Sequence, residues 1–73
     1  MKCRFSWNGY DIEIQEDGNV IVKTEYREYR GRISRMTKNF VKIEAESGHL
    51  RIVLTIPKKA IPGRFQKWAS SHT

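Results

Sequence analysis

Asn8-Gly9 lies between two alternating runs, 2–7 and 10–15, and no other pair of residues constrains this chain as strongly. A type I′ hairpin turn needs positive φ at both central positions, and Asn followed by Gly tolerates that best. With the turn placed there the register follows. Trp7 faces Tyr10, Phe5 faces Ile12 and Cys3 faces Ile14. Side chains alternate along a strand, so these six share one side. The other side pairs Ser6 with Asp11, Arg4 with Glu13 and Lys2 with Gln15. A slip of one residue would destroy both faces. A lone hairpin is only marginally stable in water, so the apolar face needs a packing partner from the rest of the chain.

Glu16-Asp17-Gly18 reads as a three-residue loop with Gly at the left-handed position. Ile14 then faces Val20, Ile12 faces Val22 and Asp11 faces Lys23. A third strand, from Asn19 to about Tyr26, extends the same apolar face, with Ile21 pointing outward. A second hairpin joins residues 40–46 to 49–56 through Ser47-Gly48. A two-residue loop there sets Ala45 against Leu50, Ile43 against Ile52 and Val41 against Leu54. The opposite face pairs Glu46 with His49 and Glu44 with Arg51.

Between the hairpins, in residues 24–39, Tyr26, Tyr29, Ile33, Met36 and Phe40 recur at spacings of three and four. That stripe predicts a short helix near 25–37. Gly31 opposes it, at about 1 kcal/mol relative to Ala; the rival is a third strand that continues to Tyr29 and turns at Arg30-Gly31. After Pro57, the positions Ile61, Phe65, Trp68 and Ala69 lie on one helical face, and Pro62 suits a first helical turn. A C-terminal helix near 61–69 is therefore expected. The expected fold is mainly β (small α+β): a five-stranded antiparallel barrel or sandwich in one domain, 1–73. Its order of elements resembles the OB-fold, with an SH3-like barrel as the competitor.

Composition narrows the classes of function. With one cysteine among 73 residues there is no intrachain disulfide and no multi-cysteine metal site, and Cys3 reads as a small core hydrophobe. No apolar run approaches the roughly 20 residues of a membrane span, and the first residues lack the apolar core of a signal peptide. The expectation is a soluble cytoplasmic protein without membrane contact. The net charge of +6 is unevenly spread: two basic against four acidic groups in residues 1–19, twelve against four in 20–73. That asymmetry predicts an anionic partner for the later part, nucleic acid or an acidic protein surface.

Catalytic chemistry finds little support. The two histidines are His72, near the end of the chain, and His49, beside a tight turn. No G-x-S-x-G, H-E-x-x-H or P-loop pattern and no Cys/His cluster occurs. No enzyme and no cofactor is expected. The basic residues offer more. Arg27, Arg30, Arg32, Arg35 and Lys38 form a run interleaved with Tyr26 and Tyr29, while Lys58, Lys59, Arg64 and Lys67 form a second cluster, with Trp68 as an auxiliary anchor. Arginine neutralises phosphate and stacks on bases, and aromatic rings offer stacking platforms. These residues are the expected partner-binding set. The bland alternative places the tyrosines and Trp68 in the core and leaves the charges as a solvated face.

Two resemblances bear on function. The small size, basic makeup and Tyr26–Lys38 basic/aromatic run resemble those of small phage-encoded proteins that bind host RNA polymerase and inhibit or antiterminate transcription. That resemblance implies an RNA polymerase partner, no cofactor and action in the host cytoplasm, with direct nucleic-acid contact as the alternative. Separately, His49, Ile56-Pro57, Lys58-Lys59 and Ile61-Pro62-Gly63 resemble the end of HicA-type messenger-RNA-cleaving toxins. Those toxins begin with a helix, whereas this chain begins with a hairpin.

Overall fold

The computed structural model describes residues 2–63. Six antiparallel strands follow one another in a single sheet: β1 Cys3–Trp7, β2 Tyr10–Ile14, β3 Asn19–Lys23, β4 Glu28–Met36, β5 Phe40–Ser47 and β6 Leu50–Pro57. Each strand pairs with its neighbour in sequence, so the topology is an uninterrupted meander. The turns β1–β2, β3–β4 and β5–β6 lie at one end, the upper end. The turns β2–β3 and β4–β5 lie at the lower end with a 3₁₀ turn, Lys58–Ala60.

One face of this sheet is buried: Ile12, Ile14, Val20, Val22, Val41, Ile43, Ala45, Leu54 and Ile56 form the core. With no second sheet or long helix among the described residues, the sheet covers this face by curling over on itself. The result is a half-barrel around an aliphatic centre. Ile61 joins the core after β6. Pro62 lines a depression with Lys2, Cys3 and Arg4, so the chain crosses back toward β1.

The first two turns have the expected chemistry. Asn8 and Gly9 both have positive φ, 51° and 85°, and β1–β2 pairs in the predicted register. Gly18 has φ 89°, and Ile14–Val20, Ile12–Val22 and Asp11–Lys23 pair as expected. Ile21 points outward and is half-buried.

Four expectations need correction. Residues 28–36 are strand β4, not a helix, which makes six strands rather than five and removes the OB-like order. Tyr29, Gly31 and Ile33 oppose Val22, Val20 and Ile43 across the two neighbouring strands, with period two. The apparent helical spacing has other causes. Tyr26 lies in the β3–β4 turn, Phe40 lies beyond the β4–β5 turn, and the step of three from Ile33 to Met36 spans a bulge. Secondly, β3 ends at Lys23 rather than near Tyr26, because Thr24 opens a tight turn. Its Oγ1 accepts the N–H groups of Tyr26 and Arg27, and Thr37 repeats this bonding toward Asn39 and Phe40.

Thirdly, the last hairpin turns at Gly48-His49, with Ser47 opposite Leu50. Gly48 takes the positive φ of 62°, as a first central position of type II′ requires. The register differs from expectation by two residues, so both faces survive: Ala45 opposes Ile52, and Glu46 opposes Arg51 rather than His49. Lastly, Ile61 is buried, but its backbone is extended at φ −100° and ψ 137°, so the helix expected near 61–69 does not begin at Ile61; Gly63 is the first helical residue of the segment. Residues 64–69 of that segment lie outside the described residues.

Candidate basic site at the lower end

The outer face of the sheet is tiled with charge. Arg4 opposes Glu13, Asp11 opposes Lys23, and Lys23 opposes Glu28. Arg30 opposes Glu46, Arg32 opposes Glu44, and Glu46 opposes Arg51. Every one of these cross-strand pairs is of opposite sign, the arrangement that stabilises a sheet. Two of these pairs are in contact: Arg4 Nε donates to Glu13 Oε1 at 2.7 Å, and Lys23 Nζ lies 3.9 Å from Glu28 Oε1. Further ion pairs run along and diagonally across the strands: Arg30 bonds Glu28 Oε2 at 2.8 Å within β4, and Arg51 reaches diagonally to Glu44. The Gln15 amide and the Arg4 guanidinium donate to Glu13 and hold its carboxyl below the usual glutamate range.

One pair breaks the rule. Arg35 opposes Lys42 on the same face, near the lower end. A β-bulge puts it there. Ile33 opposes Ile43, Arg35 opposes Lys42, and Ser34 is the extra residue between them, its Oγ donating to the Lys42 carbonyl at 3.3 Å. Without the extra residue, Ser34 would face Lys42 and Arg35 would face Val41, inside the core. The bulge re-aims Arg35 outward and returns Met36 to the core opposite Val41.

Other cations join this end. Lys38 sits in the β4–β5 turn, and the neighbouring Asn39 carbonyl accepts the Lys58 N–H at 2.9 Å, which ties that turn to the 3₁₀ turn carrying Lys58 and Lys59. Arg35, Lys38 and Lys59 are exposed, and Lys42 and Lys58 are half-buried. Arg35, Lys38, Lys42 and Lys59 form no ion pair with any described residue.

The expected partner-binding set is thus divided. Arg35, Lys38, Lys58 and Lys59 are brought to one end, and Lys42 belongs with them. Lys42 escaped the sequence reading because its neighbour across the sheet depends on the Ser34 bulge. Arg30 and Arg32 stand within the balanced tiling, and Arg27 is exposed in a turn at the upper end. Tyr29 is a correction: it is 8% exposed and belongs to the core, because β4 alternates and Tyr29 faces Val22. Tyr26 is the exposed aromatic, at 86%. Arg64, Lys67 and Trp68 lie outside the described residues.

Among the described residues no cluster of His, Cys, Asp and Glu could hold a metal ion, and no helix is long and apolar enough to cross a membrane. His49 is exposed within the β5–β6 turn. No protein-family model matches the chain, and comparison with curated proteins and with solved structures finds no match.

Proposed function

We propose that this chain is a non-enzymatic, basic regulatory binding protein of the transcription machinery that engages a nucleic-acid backbone through its lower end. One observation carries the reading. Like charges directly opposite on a sheet are destabilising. Arg35 and Lys42 are the like-charged pair in a face otherwise tiled with opposite charges. A phosphate group between them relieves that repulsion, and Lys38, Lys58 and Lys59 extend the positive surface toward neighbouring phosphates.

The second reading is docking on RNA polymerase. It is supported by Tyr26, which stands uncovered at the upper end, and by Leu50, 44% exposed beside the β5–β6 turn. Exposed aromatic and aliphatic groups of this kind are typical of protein-interface cores. Direct backbone contact is ranked first because Arg35, Lys38, Lys42 and Lys59, which form no ion pair with any described residue, gather at one end, while Arg30 and Arg32 are opposed by Glu46 and Glu44.

Fluorescence anisotropy with short RNA and DNA, single- and double-stranded, tests the first reading. Binding is expected at low salt, and for roughly four phosphate contacts log K should fall against log[salt] with a slope of about −3 to −4. Absence of binding at low salt overturns it. Retention of purified RNA polymerase on the nuclease-treated protein, lost on Tyr26→Ala, supports the second.

A further inference from the structure

The observations point to the outer edge of β6, which no described strand pairs. In a two-residue hairpin the pair closing the turn is hydrogen-bonded, and bonded and non-bonded pairs then alternate. Ser47–Leu50 closes the turn. Leu50, Ile52, Leu54 and Ile56 therefore direct their N–H and C=O groups to β5, and Arg51, Val53 and Thr55 direct theirs away from the sheet. Pro57, which has no N–H to give, falls in the outward-facing phase, where an edge strand tolerates proline. No described residue bonds to the outward groups of Arg51, Val53 and Thr55.

Sheet edges are ordinarily protected by shortness, bulges, proline or inward-pointing charge. β6 is eight residues long, pairs without a bulge, carries proline only at its end and has Arg51 as its sole charge. Two of the three large hydrophobics that the described chain exposes, Leu50 and Val53 at 44% and 49%, lie on this strand.

We propose that β6 pairs with β6 of a second copy of this chain, antiparallel about a two-fold axis at Val53. That register makes Val53 face Val53 of the second copy and Arg51 face Thr55 in both directions. It uses every outward backbone group of the three residues, and it alone does so. It opposes no like charges, whereas the register pairing Arg51 with itself would. On the core-facing side Ile52 meets Leu54, and Leu50 meets Ile56. The contact is isologous and closes after two copies, which joins the two half-barrels into one sheet. The lower ends then point in opposite directions. A single strand edge is a small interface, so the dimer is weak and concentration-dependent.

Sedimentation of the full chain over a concentration series, with hydrogen exchange read amide by amide at the two extremes, tests this. The expectation is a monomer–dimer equilibrium in which the Arg51, Val53 and Thr55 amides exchange rapidly in dilute solution and slowly when concentrated. Val53→Lys places two ammonium groups on the axis, and Val53→Pro removes an outward N–H without touching the bonds to β5. Both are expected to sediment as monomers with the circular dichroism of the parent. A parent that stays monomeric at the highest concentration overturns the proposal. So does slow exchange at both extremes, which means that the chain covers its own edge, and so does persistence of the dimer in folded Val53→Lys.

Discussion

Gly31 of β4 lies against the backbone of Glu44 in β5 more closely than any side chain permits. A Cβ at position 31 would stand 1.8 Å from the Glu44 carbonyl oxygen and 2.6 Å from the Ala45 Cα. Gly31 also separates Val20 from Ala45, a small residue, across three strands of the core face. The sheet bends most easily where side chains are smallest, and at this row the β5 backbone occupies the space a side chain at position 31 would need. Gly31→Ala is expected to destabilise the fold by about 3 kcal/mol or more, at or beyond the upper range of overpacking. Urea denaturation with an unchanged m-value measures it, and a shift under 1 kcal/mol contradicts the close approach.

The core is centred on aliphatic side chains such as Ile14 and Ile43, not on the aromatic residues of the first hairpin. Ile43 is fully buried, whereas Phe5 is half-buried and packs at the margin. Ile43→Ala should cost about 3–4 kcal/mol, in the usual range for a buried isoleucine. Phe5→Ala should cost about 1.5–3 kcal/mol, below the value for an enclosed phenylalanine. Thermal or denaturant unfolding of the two variants ranks them, and a larger loss at Phe5 reverses this view of the core.

Lys42→Glu separates function from stability. It replaces a like-charged pair with an opposite-charged one, so the fold should gain about 0.2–1 kcal/mol. Binding to nucleic acid should weaken, and the salt slope should shrink by about 1 for each phosphate contact removed. Arg32→Glu, within the balanced tiling opposite Glu44, should cost stability and leave the slope near that of the parent. Denaturation and salt-titrated anisotropy of both variants provide the comparison.

Glu13 sets an acid-side dependence. Hydrogen bonds from Gln15 and Arg4 favour its charged form and lower its pKa in the folded state. A depressed folded pKa contributes stability that is complete above the unfolded value and is lost as pH falls through the folded one. The carboxyl carbon shift of Glu13 should titrate below the ordinary glutamate value, and Gln15→Ala should move the midpoint upward. An unmoved midpoint removes the Gln15 bond as a cause.

His49 is exposed in its turn, and cleavage of RNA by this residue would need a partner base or acid there. Purified protein incubated with messenger RNA is expected to leave it intact, and His49→Ala should behave as the parent. Cleavage that disappears in His49→Ala would establish the toxin reading instead.

Turn chemistry explains how much of the fold was legible. Asn8-Gly9 and Gly18 are positions where positive φ selects the residue, so the first three strands and their register follow from local sequence. At Ser47-Gly48-His49 the single glycine allowed two placements of the turn. They differ by a register of two, which leaves the faces unchanged and only the pairs wrong. In 24–39 two loops and a bulge combined to imitate helical spacing, and Gly31, without a side chain, concealed the alternation of its strand.

Local sequence therefore determined the β character, the apolar and polar faces and the first register, because each depends on alternation and on residues that tolerate particular dihedral angles. It also established that cations outnumber anions. Which cations stay unmatched was decided by tertiary pairing. Arg30 and Arg32 acquire Glu46 and Glu44 only when β4 lies beside β5, and Arg35 meets Lys42 only because Ser34 shifts the register by one. Charge composition is additive along a chain, but its neutralisation depends on which strands are neighbours.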